Sequence, residues 1–120
     1  MDRPLRAIAW KAPDADHYTD VTDAVESAVV SATPHPGDAV DRPKGYSVKL
    51  TLRPDSTTFA DALQETLLAV DPAAVSLEFE DGDAVSDVPV GVTRVPHLGE
   101  QNEAELSVKP AGHDALHPHF

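Results

Sequence analysis

Residues 46–52, YSVKLTL, alternate without a fault. Tyr46, Val48, Leu50 and Leu52 fall on one side, and Ser47, Lys49, Thr51 and then Arg53 on the other. That is the period of a strand with one wet face. No other stretch limits the fold so tightly, because a slip of one residue would turn its whole apolar row into water. A different period follows at once. Phe59, Leu63, Leu67 and Val70 recur as the core stripe of a helix over about residues 57–70, with Ala62 and Thr66 beside it. Asp55, Ser56, Thr57 and Thr58 all offer capping oxygens, and Asp71-Pro72 stops the helix. Val75, Leu77 and Phe79 then alternate with Ser76, Glu78 and Glu80 as a further strand. Residues 46–80 therefore have the pattern of a strand–helix–strand unit, whose crossover would be right-handed if the strands are parallel neighbours.

The same reading covers the rest of the chain. LRAIAWK, residues 5–11, is a ragged first strand, and residues 12–18 are a loop. Val21, Ala24, Val25, Ala28 and Val29 fall at i, i+3, i+4, i+7 and i+8, which predicts a first helix with Asp20 as its N-cap and Asp23 completing a box-like arrangement. Residues 33–45, with three Pro and two Gly, read as a long mobile loop. Asp81-Gly82-Asp83 marks a turn. Val88, Val90 and Val92 predict a fourth strand that Pro89 demotes to an edge, and Ala104, Leu106 and Val108 a fifth. The expectation is an α+β fold of order β-α-β-α-β-β-β, with two helices on one face of a mixed sheet of four to five strands. It forms a single domain over residues 1–110, and residues 111–120 follow as a flexible, histidine-containing tail.

Charge enters because it restricts where such a domain works. Asp and Glu number 21 against nine Lys and Arg, a net charge of -12. On a 12.8 kDa chain that charge repels itself in dilute buffer. At molar salt the screening length falls to about 3 Å and the repulsion fades. The composition resembles that of proteins from organisms that keep salt inside the cell. It argues against nucleic acid, since the few basic residues form no cluster to displace phosphate counterions. No run of about 18 apolar residues is present, so no membrane-spanning segment is expected. The absence of Cys removes thiolate chemistry and fits a reducing cytosol. The expected location is cytoplasmic, or a virion if the protein is viral.

Motifs for chemistry are sparse. No G-x-S-x-G turn and no phosphate loop occur, and no cofactor is implied. Glu78, Glu80, Asp81, Asp83 and Asp87 crowd together but fail the EF-hand spacing, with Val85 and Val92 at ligand positions. His113 and His117 stand four apart, the spacing of a metal pair on a helix, yet Gly112 and Pro118 argue against a helix there, so no metal site is assigned. What remains points to a non-enzymatic subunit of a larger assembly in high salt, for instance a virion or head–tail connector component. Its partners would be proteins, as a homo-oligomer or a larger complex. Trp10, Tyr18, His35, Tyr46 and His97 are the candidate interface residues, being large amphipathic side chains or loop histidines. The competing reading is a small ligand-binding or carboxylate-based enzyme domain that uses His97 with Glu100.

Overall fold

A computed structural model describes residues 2–33 and 45–120. The alternating stretch is a strand as expected, and it belongs to a closed barrel. The strands are β1 (Asp2–Lys11), β2 (Thr19–Asp20), β3 (Val25–Thr33), β4 (Gly45–Leu52), β5 (Ala73–Phe79), β6 (Ala84–Arg94) and β7 (Glu103–Val108). Six of them close a ring in the order β1-β3-β4-β7-β6-β5, and β5 returns to β1. Every pairing is antiparallel. The short β2 adds to β1 through Ala9–Asp20 and Trp10–Thr19. The α+β expectation, a mixed sheet with two helices on one face, is therefore corrected to an antiparallel β-barrel with two short helices.

The first predicted helix is the largest correction. Residues 25–33 are β3, preceded by a 3-10 turn at Thr22–Ala24. Val25 pairs with Leu52 while Ser27 pairs with Thr51, so Glu26 is one residue too many for its partner strand. This bulge places both Val25 and Ala28 inside, three residues apart, before the true period of two resumes at Val30 and Ala32. An apolar spacing of three within a Val-rich run imitates a helix stripe.

The second predicted helix exists as α1 (Thr57–Leu67). Ser56 precedes it, but its hydroxyl donates to the Ala24 carbonyl at 2.7 Å and so ties the helix to the barrel rim. Phe59 and Leu63 are buried, and the Phe59 ring meets Trp10 edge-on at 5.6 Å. This helix closes one end of the barrel. It does not make a parallel crossover, because β4 pairs with β3 and β7, and β5 with β1 and β6.

Pro89 does not mark an edge either. It lies in β6 opposite Ala74, just after a bulge where Val85 to Val88 span the distance that Leu77 to Val75 cover on β5. Asp87, in that bulge, takes a left-handed φ of 56°. The Pro89 carbonyl accepts from Lys109 N–H at 2.9 Å just beyond the end of β7, so its backbone faces the strand's end, where a residue with no N–H is tolerated. The Asp81-Gly82-Asp83 turn forms as expected, with Gly82 at φ 100°.

The interior is packed with side chains. Val30, Val48, Leu52, Val75, Val88, Val90 and Leu106 are all fully buried. Six strands enclose a lumen that side chains fill, without room for a ligand chamber. Residues 110–120, expected as a loose tail, wind into a 3-10 turn (Pro110–Gly112), α2 (His113–Leu116) and a last 3-10 turn (His117–His119). Leu116 is fully buried and Phe120 packs on the core. A Cβ on Gly112 would come within 3.0–3.1 Å of Pro89, Val108 and Val88, so only Gly fits this closely. The segment corks the barrel end opposite α1.

Candidate functional site

Two regions stand out from an otherwise paired surface. The first is the corked mouth. Tyr46, at the start of β4, is buried and faces His113 at 5.5 Å, His117 at 5.4 Å and Phe120 at 5.2 Å between ring centroids. Its hydroxyl is hydrogen-bonded to His117 Nδ1. His119 stacks near Phe79 at 5.6 Å and places Nδ1 3.2 Å from the Asp83 carboxylate. Arg3 lies over the Phe79 ring at 4.3 Å, donates to the His119 carbonyl at 2.8 Å and pairs with Asp81. The acidic hairpin thus serves as an anchor for Arg3 and His119. Among the described residues no three His, Asp or Glu side chains converge as a metal-ligand set.

The second region follows α1. Leu67 is 39% exposed, Leu68 83% and Val70 100%. The predicted stripe of Phe59, Leu63, Leu67 and Val70 is only half realised, because the helix ends at Leu67 and Thr66 takes the remaining inward position, with its hydroxyl on the Ala62 carbonyl. Among the described residues, these three are the large apolar side chains that stand exposed. Single exposed apolar residues are ordinary, whereas here three fall within four positions of the chain.

The remaining sequence candidates are scattered. Trp10 is buried, so it belongs to the core and offers nothing to a partner; its indole Nε1 has no hydrogen-bond acceptor. Tyr18 is half-buried on the outer wall, donates to Asp87 at 2.7 Å and carries Lys11 5.3 Å over its ring. Partial burial, and then that hydrogen bond, hold the Tyr18 phenol above the ordinary tyrosine value. The nearby Asp20 is held below the usual carboxylate range by hydrogen bonds from the Thr22 side chain and backbone. His35 lies outside the described residues. His97 sits exposed on a tight turn, its backbone paired with Gln101, and Glu100 is exposed beside it. The structure therefore brings Tyr46 together with the C-terminal histidines, and leaves Trp10, Tyr18 and His97 apart. The exposed Val70 went unnoticed in the sequence because it completes a plausible core stripe, and Leu68 was not singled out at all.

Among the described residues, grooves open on the outside of the barrel. One of about 270 Å³ has a floor that includes Ala7, Ala9, Ser76 and Ala84. A second, of about 380 Å³, runs past Lys49, Arg94, Glu103 and Glu105. A third, of about 220 Å³, fills the gap where β1 and β3 splay apart near Arg6 and Glu26. Neither His97 nor Glu100 lines any of them. The chain matches no known protein-family model, no curated protein and no solved structure.

Proposed function

We propose that this protein is a non-enzymatic interaction module, a subunit that assembles with further copies of itself or with a larger complex in concentrated salt. The observation that carries this reading is the exposure of Leu67, Leu68 and Val70 while the other large apolar side chains among the described residues are at least partly packed away. Its polar groups support it too: Arg3, Arg6, Asp81, Asp83 and Glu78 neutralise one another on the surface instead of converging in a cavity.

A second copy is the partner we favour. The small-residue groove on the outer wall has an apolar floor, and Ala7 and Ala9 on β1 are continued along the same row by Lys11, which has no ion pair among the described residues. Leu68 and Val70 complement that floor in polarity, and concentrated salt screens the following Asp71 from Asp20 and Glu78, which also line the groove. Contact between two different patches is heterologous, and it closes into a ring when the rotation allows. A ring component of a virion or connector is the concrete form of this proposal.

The chain lacks Cys, so a single introduced thiol reports its own surroundings. In concentrated salt, Val70→Cys should react with a maleimide more slowly as protein concentration rises, while Ala115→Cys on the exposed cork surface keeps a constant rate. Equal, concentration-independent rates at both positions would refute the reading.

A further inference from the structure

Gly112 and Pro118 read as helix breakers, yet each lies outside the turn it flanks. Gly112 precedes α2, and Pro118 belongs to the 3-10 turn that follows it. Between them the backbone stays helical, with φ and ψ of −64° and −41° at His113 and −50° and −43° at His117. Side chains four residues apart on such a turn meet on one face. The two imidazole centroids are 6.1 Å apart, and Tyr46 completes a triangle of rings with them. The Tyr46 hydroxyl engages His117 Nδ1, which fixes that ring and leaves Nε2 unused. Neither His117 Nε2 nor either nitrogen of His113 has a hydrogen-bond partner among the described residues, although both rings are half-buried.

We propose that His113 and His117 chelate one divalent cation of the zinc, nickel and copper class, with Tyr46 as the positioning residue for His117. Imidazole nitrogen selects these metals over magnesium and calcium, which prefer oxygen. The selection matters on this chain, whose many carboxylates gather hard cations without discrimination. Turned toward each other, the two rings bring nitrogens to a separation that a cation with Zn–N bonds of about 2.0–2.1 Å spans after small ring rotations. The hydrogen bond to Tyr46 plays the orienting part that a carboxylate or carbonyl plays behind other metal-binding histidines. Water fills the remaining positions. His119 stays outside the pair because its ring lies against Phe79, 5.6 Å between centroids, and not in the triangle that His113 and His117 form with Tyr46. By joining residues 113 and 117, the cation clasps the turn that seats Leu116 and so holds the cork in the barrel mouth.

The full chain, freed of metal, is titrated with zinc chloride alone and with magnesium chloride as control, following heat of binding and thermal melting. One zinc per chain should bind and raise the melting temperature, because a ligand of the folded state stabilises it. Magnesium should not reproduce the rise. His113→Ala and His117→Ala should each abolish it, and His119→Ala should leave it intact. Tyr46→Phe should weaken zinc roughly tenfold, the lower end of what loss of an outer-shell partner costs. Should His117→Ala fail to fold, His117→Gln keeps a hydrogen-bonding group for Tyr46 and removes the metal ligand. No binding, binding without a rise in melting temperature, or equal loss in His119→Ala and His117→Ala would each overturn the proposal, the last two by showing chelation by an unstructured tail.

Discussion

Tyr18 illustrates how a single side chain couples the wall of the barrel to pH. Its phenol donates to Asp87, the one non-glycine residue with positive φ among the described residues. Because partial burial and this hydrogen bond favour the neutral phenol, its folded-state pKa exceeds the unfolded value. A raised pKa contributes stability that is complete below the unfolded value, about 10, and is lost as pH rises through the folded one. The stability gap between the parent chain and Tyr18→Phe should therefore be constant from neutral pH to about 9 and shrink above about 10. Urea melts across that range, made in the Tyr46→Phe background to silence the other tyrosine, would read it. Asp20 works in the opposite direction: its pKa is lowered, so its contribution is present above the unfolded carboxylate value and disappears as pH falls through the folded one. The Tyr18 effect is not legible in the sequence, since Asp87 lies 69 residues away and is brought close by folding, whereas the Asp20 effect is local and comes from Thr22 two residues on. Trp10 shows the converse. Its place on an inward position of the first strand was readable from alternation with Ala9 and Lys11, and only its size made it look like a contact residue.

The two corks decide stability at the scale of elements. Leu63 on α1 and Leu116 on α2 are each fully buried, from opposite ends of the same core. Truncating either, Leu63→Ala or Leu116→Ala, should cost about 2–5 kcal/mol by denaturant unfolding, the range for a buried Leu cut to Ala. A cost for Leu116→Ala below about 0.5 kcal/mol, the level of an ordinary surface substitution, would mean that the C-terminal segment is the loose tail its composition suggests. Strands β4, β5 and β7, and β6 from Val88 onward, were legible because their inward residues keep a strict period of two, as at Tyr46 to Leu52 and Ala104 to Val108. Strand β3 was not, because one inserted residue, Glu26, shifts the apolar phase by one position and sets Val25 and Ala28 three residues apart. The reliable sign lay further on, in Ala28, Val30 and Ala32, which fit a strand and no helix. The cork escaped notice for a different reason: Gly112 and Pro118 are read as breakers, but at the boundaries of a single turn they are boundary residues.

For the molecule as a whole, charge and closure set the terms of association. Antiparallel pairing round the barrel leaves little strand edge open among the described residues, chiefly β2 and the gap where β1 and β3 splay apart. A net charge of -12 opposes association until salt screens it. The melting temperature should consequently rise from about 0.1 to about 3 M KCl, as screening and salting-out both favour the compact state. Nothing in the sequence distinguishes a closed barrel from an open sheet, since closure depends on β1 meeting β5 at a separation of about seventy residues, beyond the reach of local periodicity. The exposed Val70 was equally hidden, because it matches the stripe of a helix that ends three residues before it. The most direct test of assembly through Leu67, Leu68 and Val70 is absolute mass by size exclusion with light scattering in about 2 M KCl, where self-repulsion is screened. The parent chain should elute as a discrete multiple of 12.8 kDa, and the Leu68→Asp, Val70→Asp double variant as a folded monomer. A parent chain that remains monomeric across the accessible concentrations, or a double variant that assembles unchanged, would contradict the account.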